Sequence, residues 1–144
     1  MNKQKIISYT FKDNINELNF FVNKTNFHAF NSLINQESTF SFLYGPKKSG
    51  KSFLAHIWQN KYNANILSNN FEDLIKKKND ILIDDFHSFD QEIIFHLVNY
   101  CILNNLKMLI TSPYKINDIN FKFNDLPSRL KTFSILEINN PDDE

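Results

Sequence analysis

The sequence predicts an α/β fold of three layers, with helices on both faces of a five-stranded parallel sheet. Three observations carry that expectation. Short apolar runs alternate along the chain with longer stretches whose apolar residues recur at helical spacing. One run, "ILIDD" (81–85), opens on consecutive apolar residues, the mark of a strand buried on both faces. The third is a glycine census: the 144 residues hold only two glycines, Gly45 and Gly50, both between the first core strand and the helix that follows it. A chain of average composition would hold roughly ten.

Taken in order, "YTF" (9–11) precedes "NFFVNKTNFHAFNSLIN" (19–35), in which Thr25 or Asn26 can cap a helix with Phe27, Phe30, Leu33 and Ile34 on its apolar face. "FSFLY" (40–44) reads as a buried strand. The segment 51–60 reads as a helix through Phe53, Leu54, Ile57 and Trp58. "ANIL" (64–67) is a shorter strand, followed by a helix capped by Asn69 or Asn70 and running through "FEDLIKKK". After "ILIDD", Ser88 with Gln91 three residues on forms a capping box that starts a helix through Ile94, Leu97, Val98 and Cys101. "KMLITS" (107–112) and "FSILEI" (133–138) complete the five strands. Strands separated by helices imply parallel pairing through crossover connections.

Composition narrows the function classes. Sixteen basic residues balance sixteen acidic ones, so no global cationic field drives non-specific nucleic-acid binding. Direct sequence-specific DNA binding is not expected. The single Cys101 lies in a helical apolar pattern and reads as a small buried hydrophobe, so there is no disulfide framework and a reducing cytoplasm is the expected compartment. No stretch approaches the roughly 20 apolar residues that span a bilayer, and the polar start "MNKQK" leads into no signal-peptide core.

"GPKKSGKS" (45–52) matches G-x-x-x-x-G-K-[ST], with a predicted strand before it and a helix after it, the context this phosphate loop requires. Glycine lets the backbone turn so that successive N–H groups and a helix N-terminus face phosphate oxygens. The phosphate cradle is therefore Gly45, Pro46, Lys47, Lys48, Ser49, Gly50, Lys51, Ser52 and Phe53. Lys51 reaches the β and γ phosphates, and Ser52 ligates Mg2+. A magnesium nucleotide, ATP or ADP, needs a second anchor on a neighbouring strand. Asp84 stands at the Walker B position for the metal, and Asp85 where a carboxylate can orient or deprotonate the attacking water. Thr111 or Ser112, at the polar tip of "KMLITS", is placed to sense the γ phosphate. His87 has no second His or Cys at ligand spacing and reads as a turn or surface residue. Arg129, in "DLPSRL", is the only arginine in a lysine-rich chain, which hints at a site where a planar fork is required, with a surface ion pair as the alternative.

Together "NFFVNKTNFHAF", "GPKKSGKS", "ILIDDFH", "LITSPYKI" and "LPSRLKTFSILEINNPDDE" resemble, in order and spacing, the AAA+ domain of the DnaA family, and within it the DnaA regulatory inactivators. The resemblance runs from about Tyr9 to the last residue. It implies an AAA+ core at 19–138, an amino-terminal segment at 1–18, and at 139–144 the start of a helical lid that is otherwise absent. It also implies an adaptor that, with bound nucleotide and the DNA sliding clamp, stimulates the DnaA initiator to hydrolyse its ATP. On that basis Phe21, Val22 and Asn26 lie near the adenine, and Arg129 is an arginine finger offered to a neighbouring AAA+ subunit, with homo-oligomers possible through the same contacts. Asn23 stands where the family has a glycine, and "PDDE" ends the chain where the family continues into a lid carrying a sensor arginine, so weak or no intrinsic hydrolysis is expected. "QKIISYTF", with Gln4, Ile7 and Tyr9, loosely resembles a clamp-binding peptide. Two other classes compete. An autonomous P-loop ATPase or small-molecule kinase would want further phosphate-clamping arginines. A helicase-loader-like AAA+ protein would want a basic and aromatic groove for single strands.

Overall fold

Five apolar runs form one sheet: β1 (Phe40–Tyr44), β2 (Asn65–Ile66), β3 (Ile81–Ile83), β4 (Met108–Ser112) and β5 (Ser134–Glu137). The structure, a computed structural model, describes residues 26–35 and 38–139. The strand order is β2-β3-β4-β1-β5 and every pairing is parallel. Among the described residues, five α-helices accompany the strands: α1 (Phe27–Phe30), which widens into a π-helix over Asn31–Asn35, α2 (Lys51–Tyr62), α3 (Phe71–Lys77), α4 (Gln91–Asn104) and α5 (Asp125–Leu130).

The pleat divides the strand residues between two cores, because successive side chains point to opposite faces. Phe42, Ile81, Ile83, Met108 and Ile110 pack with Leu74 of α3, Ile94 and Leu97 of α4, and Leu126 and Leu130 of α5. Leu43, Leu82, Leu109 and Leu136 pack on the other side with Ala29 and Leu33, and with Leu54 and Trp58 of α2. That is the expected three-layer arrangement, and it explains why the central strands carry no polar alternation. Edge strands differ: β5 leaves Ser134, Ile135 and Glu137 exposed and buries Leu136.

Two helix signals and one strand end resolve differently from their sequence reading. Phe27 is 56% exposed and not on the buried face, which is formed by Ala29, Ser32, Leu33 and Ile34. The small Ala29 makes the close contact in its place, and the wider π turn brings Ser32, Leu33 and Ile34 inward together. Ser88 does not cap α4. It closes a 3-10 turn over Phe86–Ser88 and donates its Oγ to Asp85 Oδ2 at 3.0 Å, while Asp90 caps the helix by accepting from the Glu92 N–H at 2.8 Å. Gln91, the other half of the supposed box, is engaged elsewhere, donating to the Asn120 carbonyl and accepting from the Lys122 N–H. The strand read through Asp85 stops at Ile83, because Asp85 takes φ 80° and turns the chain out of the ladder.

Helices α2, α3 and α4 end on Asn63, Lys78 and Asn105, all left-handed at φ 52°, 51° and 56°. Glycine usually holds that position. Here its conformational freedom is concentrated elsewhere. Cys101 is wholly buried, and burial foremost pushes its thiol up to about 12. No helix among the described residues is long and apolar enough to cross a membrane.

Candidate functional site

The carboxyl ends of β1, β3 and β4 sit side by side because of the register. Ile83 pairs with Ile110 and Leu43 with Thr111, so the next residues along β3 and β1 arrive at the same edge of the sheet. Crevices outside that edge are where open α/β sheets bind ligands. A cleft of about 350 Å³ lies there. Its loop wall is Lys47, Lys48, Gly50, Lys51, Ser52 and Phe53, and its strand wall is Asp84, Asp85, Thr111, Ser112 and Pro113.

The two glycines serve different purposes. Gly50 has φ 97° and precedes α2, a left-handed conformation that costs an L side chain roughly 1–2 kcal/mol. Gly45 is required by close approach instead: a Cβ there would stand 2.2 Å from the Ile138 carbonyl oxygen. That carbonyl lies just past β5, whose Ile138 N–H donates to the Tyr44 carbonyl at 2.9 Å. The same junction holds a Tyr44 hydroxyl donating to Glu137 at 2.6 Å, and this bond foremost, with burial and the carboxylate charge, pushes the phenol up to about 12. The tight packing of β5 on the start of the loop thus fixes where the loop begins.

The loop's polar groups are satisfied unevenly. Lys51 Nζ donates to the carbonyls of Gly45 and Pro46 at 2.6 and 2.9 Å, folded across its own loop. Burial lowers the Lys51 pKa from its ordinary value, opposed by the charges of Asp84 and Asp85. Ser49 is 1% exposed, and its Oγ has no hydrogen-bond partner among the described residues. Lys47 and Lys48 are exposed, and Lys48 sits at φ 64°.

The strand wall is closed on itself. Thr111 Oγ1 accepts from the Asp85 N–H at 2.7 Å and donates to Asp84 Oδ1 at 2.8 Å. The Asp85 carboxylate caps the 3-10 turn by accepting from the His87 N–H at 3.1 Å and from Ser88 Oγ. Ser112 Oγ accepts from the Tyr114 N–H and donates to the Tyr114 carbonyl, each at 2.9 Å. His87 is exposed in its turn, with Nε2 3.5 Å from Ser112 Oγ.

Of the residues the sequence singled out, the structure brings together Lys47, Lys48, Gly50, Lys51, Ser52, Phe53, Asp84, Asp85 and Thr111 around one cleft. Gly45, Pro46 and Ser49 belong to the loop without lining the cleft. Asn26 is buried at the start of α1 and is not among the residues lining the cleft. Arg129 lies on α5, exposed, outside that lining and with no ion pair among the described residues. The ion-pair alternative thus finds no partner there. Phe21, Val22 and the clamp-peptide residues Gln4, Ile7 and Tyr9 lie outside the described residues. Pro113 was missed, and its position directly after the polar tip of β4 was the available signal.

The site's donors suit a magnesium nucleotide. The described residues hold no group of three or more His, Cys, Asp or Glu side chains able to grip a metal by themselves. One or two carboxylates with phosphate and water completing the shell is the pattern magnesium takes. Asp84 and Ser52, both on the cleft lining, could contribute to such a shell, and Lys51 faces the same cleft.

No protein-family model matches the chain, and no curated protein does. Solved structures do. AMPPCP-bound DnaA from Aquifex aeolicus is similar at a TM-score of 0.65 and 19% identity over 81% of this chain and 47% of that one. Domain III of the Thermotoga maritima replication initiation protein DnaA is similar at 0.64 and 15% identity over 83% and 65%. A primosome-component candidate from Streptococcus pyogenes serotype M3 is similar at 0.58 and 21% identity, over 81% of this chain and 80% of that one. The chain spans about half the length of the Aquifex DnaA structure. What the likeness establishes is the fold: an α/β core with a five-stranded parallel sheet, shared with those structures.

Proposed function

We propose that this chain is an adenine-nucleotide-binding AAA+ protein of the DnaA family that acts in chromosome replication through protein contacts, as an adaptor of the DnaA regulatory inactivator kind (Hda). The observation that carries the reading is the division of charge. The phosphate loop and Asp84 converge on one cleft, whereas the only arginine stands exposed on α5 and does not line it. An arginine outside its own nucleotide site is available to a nucleotide held by another subunit, and such fingers stabilise the transferring phosphoryl group in trans. Lys51 holds the phosphates, Ser52 and Asp84 hold the metal, and Asp85 orients water once released from its turn. Magnesium, if held by Ser52 and Asp84, would supply charge neutralisation to the phosphates. Phe21, Val22 and Asn26 hold the base. On this reading, DnaA and the sliding clamp are the partners, and the 1–8 segment makes the clamp contact.

The test is single-turnover ATP hydrolysis on the initiator with clamp and DNA present. Arg129→Ala is expected to leave folding and the chain's own nucleotide affinity intact while slowing partner hydrolysis by up to ~10³-fold, with little rescue by Arg129→Lys. Unchanged partner hydrolysis in both variants would sink the adaptor reading. Deleting residues 1–8 is expected to release the clamp, and retention of the clamp after that deletion moves the contact elsewhere.

A second reading, a helicase-loader-like protein, is favoured by one comparison: the primosome-component candidate is matched over most of its own length as well as this chain's. Capture of a replicative helicase from native extract, in place of initiator and clamp, would decide for it.

A further inference from the structure

We propose that Thr111 is a positioning residue that fixes both acidic residues of the strand wall, and not a contact for the terminal phosphate. The inference rests on the nucleotide reading and concerns how this chain builds its metal side. A threonine hydroxyl carries one proton. In Thr111 that proton is given to Asp84 Oδ1 at 2.8 Å, while the oxygen accepts the Asp85 N–H at 2.7 Å, and the residue is 1% exposed. A phosphate oxygen only accepts, so Thr111 could serve one only by abandoning Asp84. Ser112, the other hydroxyl at the tip of β4, is likewise committed, to the Tyr114 backbone on both sides.

The bracket has two consequences. Occupying Oδ1 fixes the rotation of the Asp84 carboxylate and leaves Oδ2 as the free oxygen for a metal or its water. Holding the Asp85 N–H helps sustain a backbone at φ 80° and ψ 96°, a conformation that persists in a non-glycine residue only where the surroundings over-determine it. Groups that orient a ligand in this way are worth ~10–100-fold in metal affinity when removed. Both bonds span β3 and β4, from residues 26 and 27 positions apart, and follow from the register that sets Ile83 against Ile110.

The experiment measures the affinity of the full chain for ADP and for AMPPCP, each with magnesium and with EDTA, in wild type, Thr111→Val and Thr111→Ser. The expected result is that Thr111→Val loses ~10–100-fold of the magnesium-dependent gain. The loss is equal for both nucleotides and absent in EDTA, and Thr111→Ser restores it. A loss confined to AMPPCP means that Thr111 meets the γ phosphate, and overturns the proposal. A loss in EDTA as well assigns a general structural role and also overturns it, as does an unchanged Thr111→Val. Should Thr111→Val fail to fold, Thr111→Ala carries the same comparison. Wild type that binds neither nucleotide sinks the nucleotide reading and this role with it, whereas normal wild-type binding with an indifferent Thr111 removes this role alone.

Discussion

The loop wall and the strand wall face the same cleft but are completed to different degrees. On the strand wall, Thr111 joins Asp84 to Asp85, Asp85 caps its own turn, and Ser112 closes the turn after β4. On the loop wall, Lys51 rests on two carbonyls of its own loop and Ser49 Oγ is buried without a partner among the described residues. Buried polar groups are normally paired, and an unpaired one costs roughly 1–3 kcal/mol. The difference teaches that one side is preorganised by bonds between strands and the other only by bonds within its own loop. The strand wall stores its geometry in cross-strand bonds, while the loop spends the Lys51 ammonium on its own carbonyls and leaves Ser49 Oγ unpaired outside the lining.

Lys51→Ala sharpens that comparison most. Removing the principal cation is expected to weaken ADP binding by roughly 30-fold or more, about 2 kcal/mol, measured by calorimetry. Equal affinity in the variant would mean that the loop is a structural turn. Gly45→Ala tests the fixed start of the loop. Its methyl has to displace the Ile138 carbonyl, so the expected loss of stability is about 1–3 kcal/mol, read as a lower melting temperature. A variant as stable as wild type would show that β5 yields easily there.

Ser49→Ala moves in the opposite direction. Deleting an unpartnered hydroxyl is expected to stabilise the chain by up to about 1 kcal/mol, read as a higher melting temperature. Loss of stability without ligand would reveal a bond that the free loop already makes. The smallest expected effect is on pH. Burial lowers the Lys51 pKa, so in the free fold the charged form withdraws stability below that pKa, and the penalty fades as pH rises through it. Nucleotide affinity, which needs the charged form, is expected to start declining at a lower pH than an ordinary lysine would allow. Lys51→Arg removes the decline, because a guanidinium stays protonated there.

Much of this was legible in the chain. "FSFLY" became β1 with the same bounds, and the loop motif marked most of one wall of the cleft, because each depends on neighbours within about five residues. The capping box at Ser88 was a sound local signal that lost to a competitor. The turn demanded by Asp85 used the Ser88 hydroxyl, and Gln91 was drawn to the 120–122 loop. Phe27 was likewise misplaced, since which face of a short helix is buried depends on the surface it meets and on the π turn that follows.

By itself, then, the sequence determined the alternation of strands and helices, the phosphate loop, the acidic pair after β3 and the isolation of Arg129. Those are properties of residue type and short-range order. Only the tertiary structure decided that β4 lies between β1 and β3, that Gly45 is needed for the approach of Ile138, and that the Thr111 proton belongs to Asp84. The reason is register. Contacts between residues 26 to 93 positions apart are fixed by how strands align and pack, and no local pattern encodes which carbonyl or carboxylate will arrive opposite a given side chain.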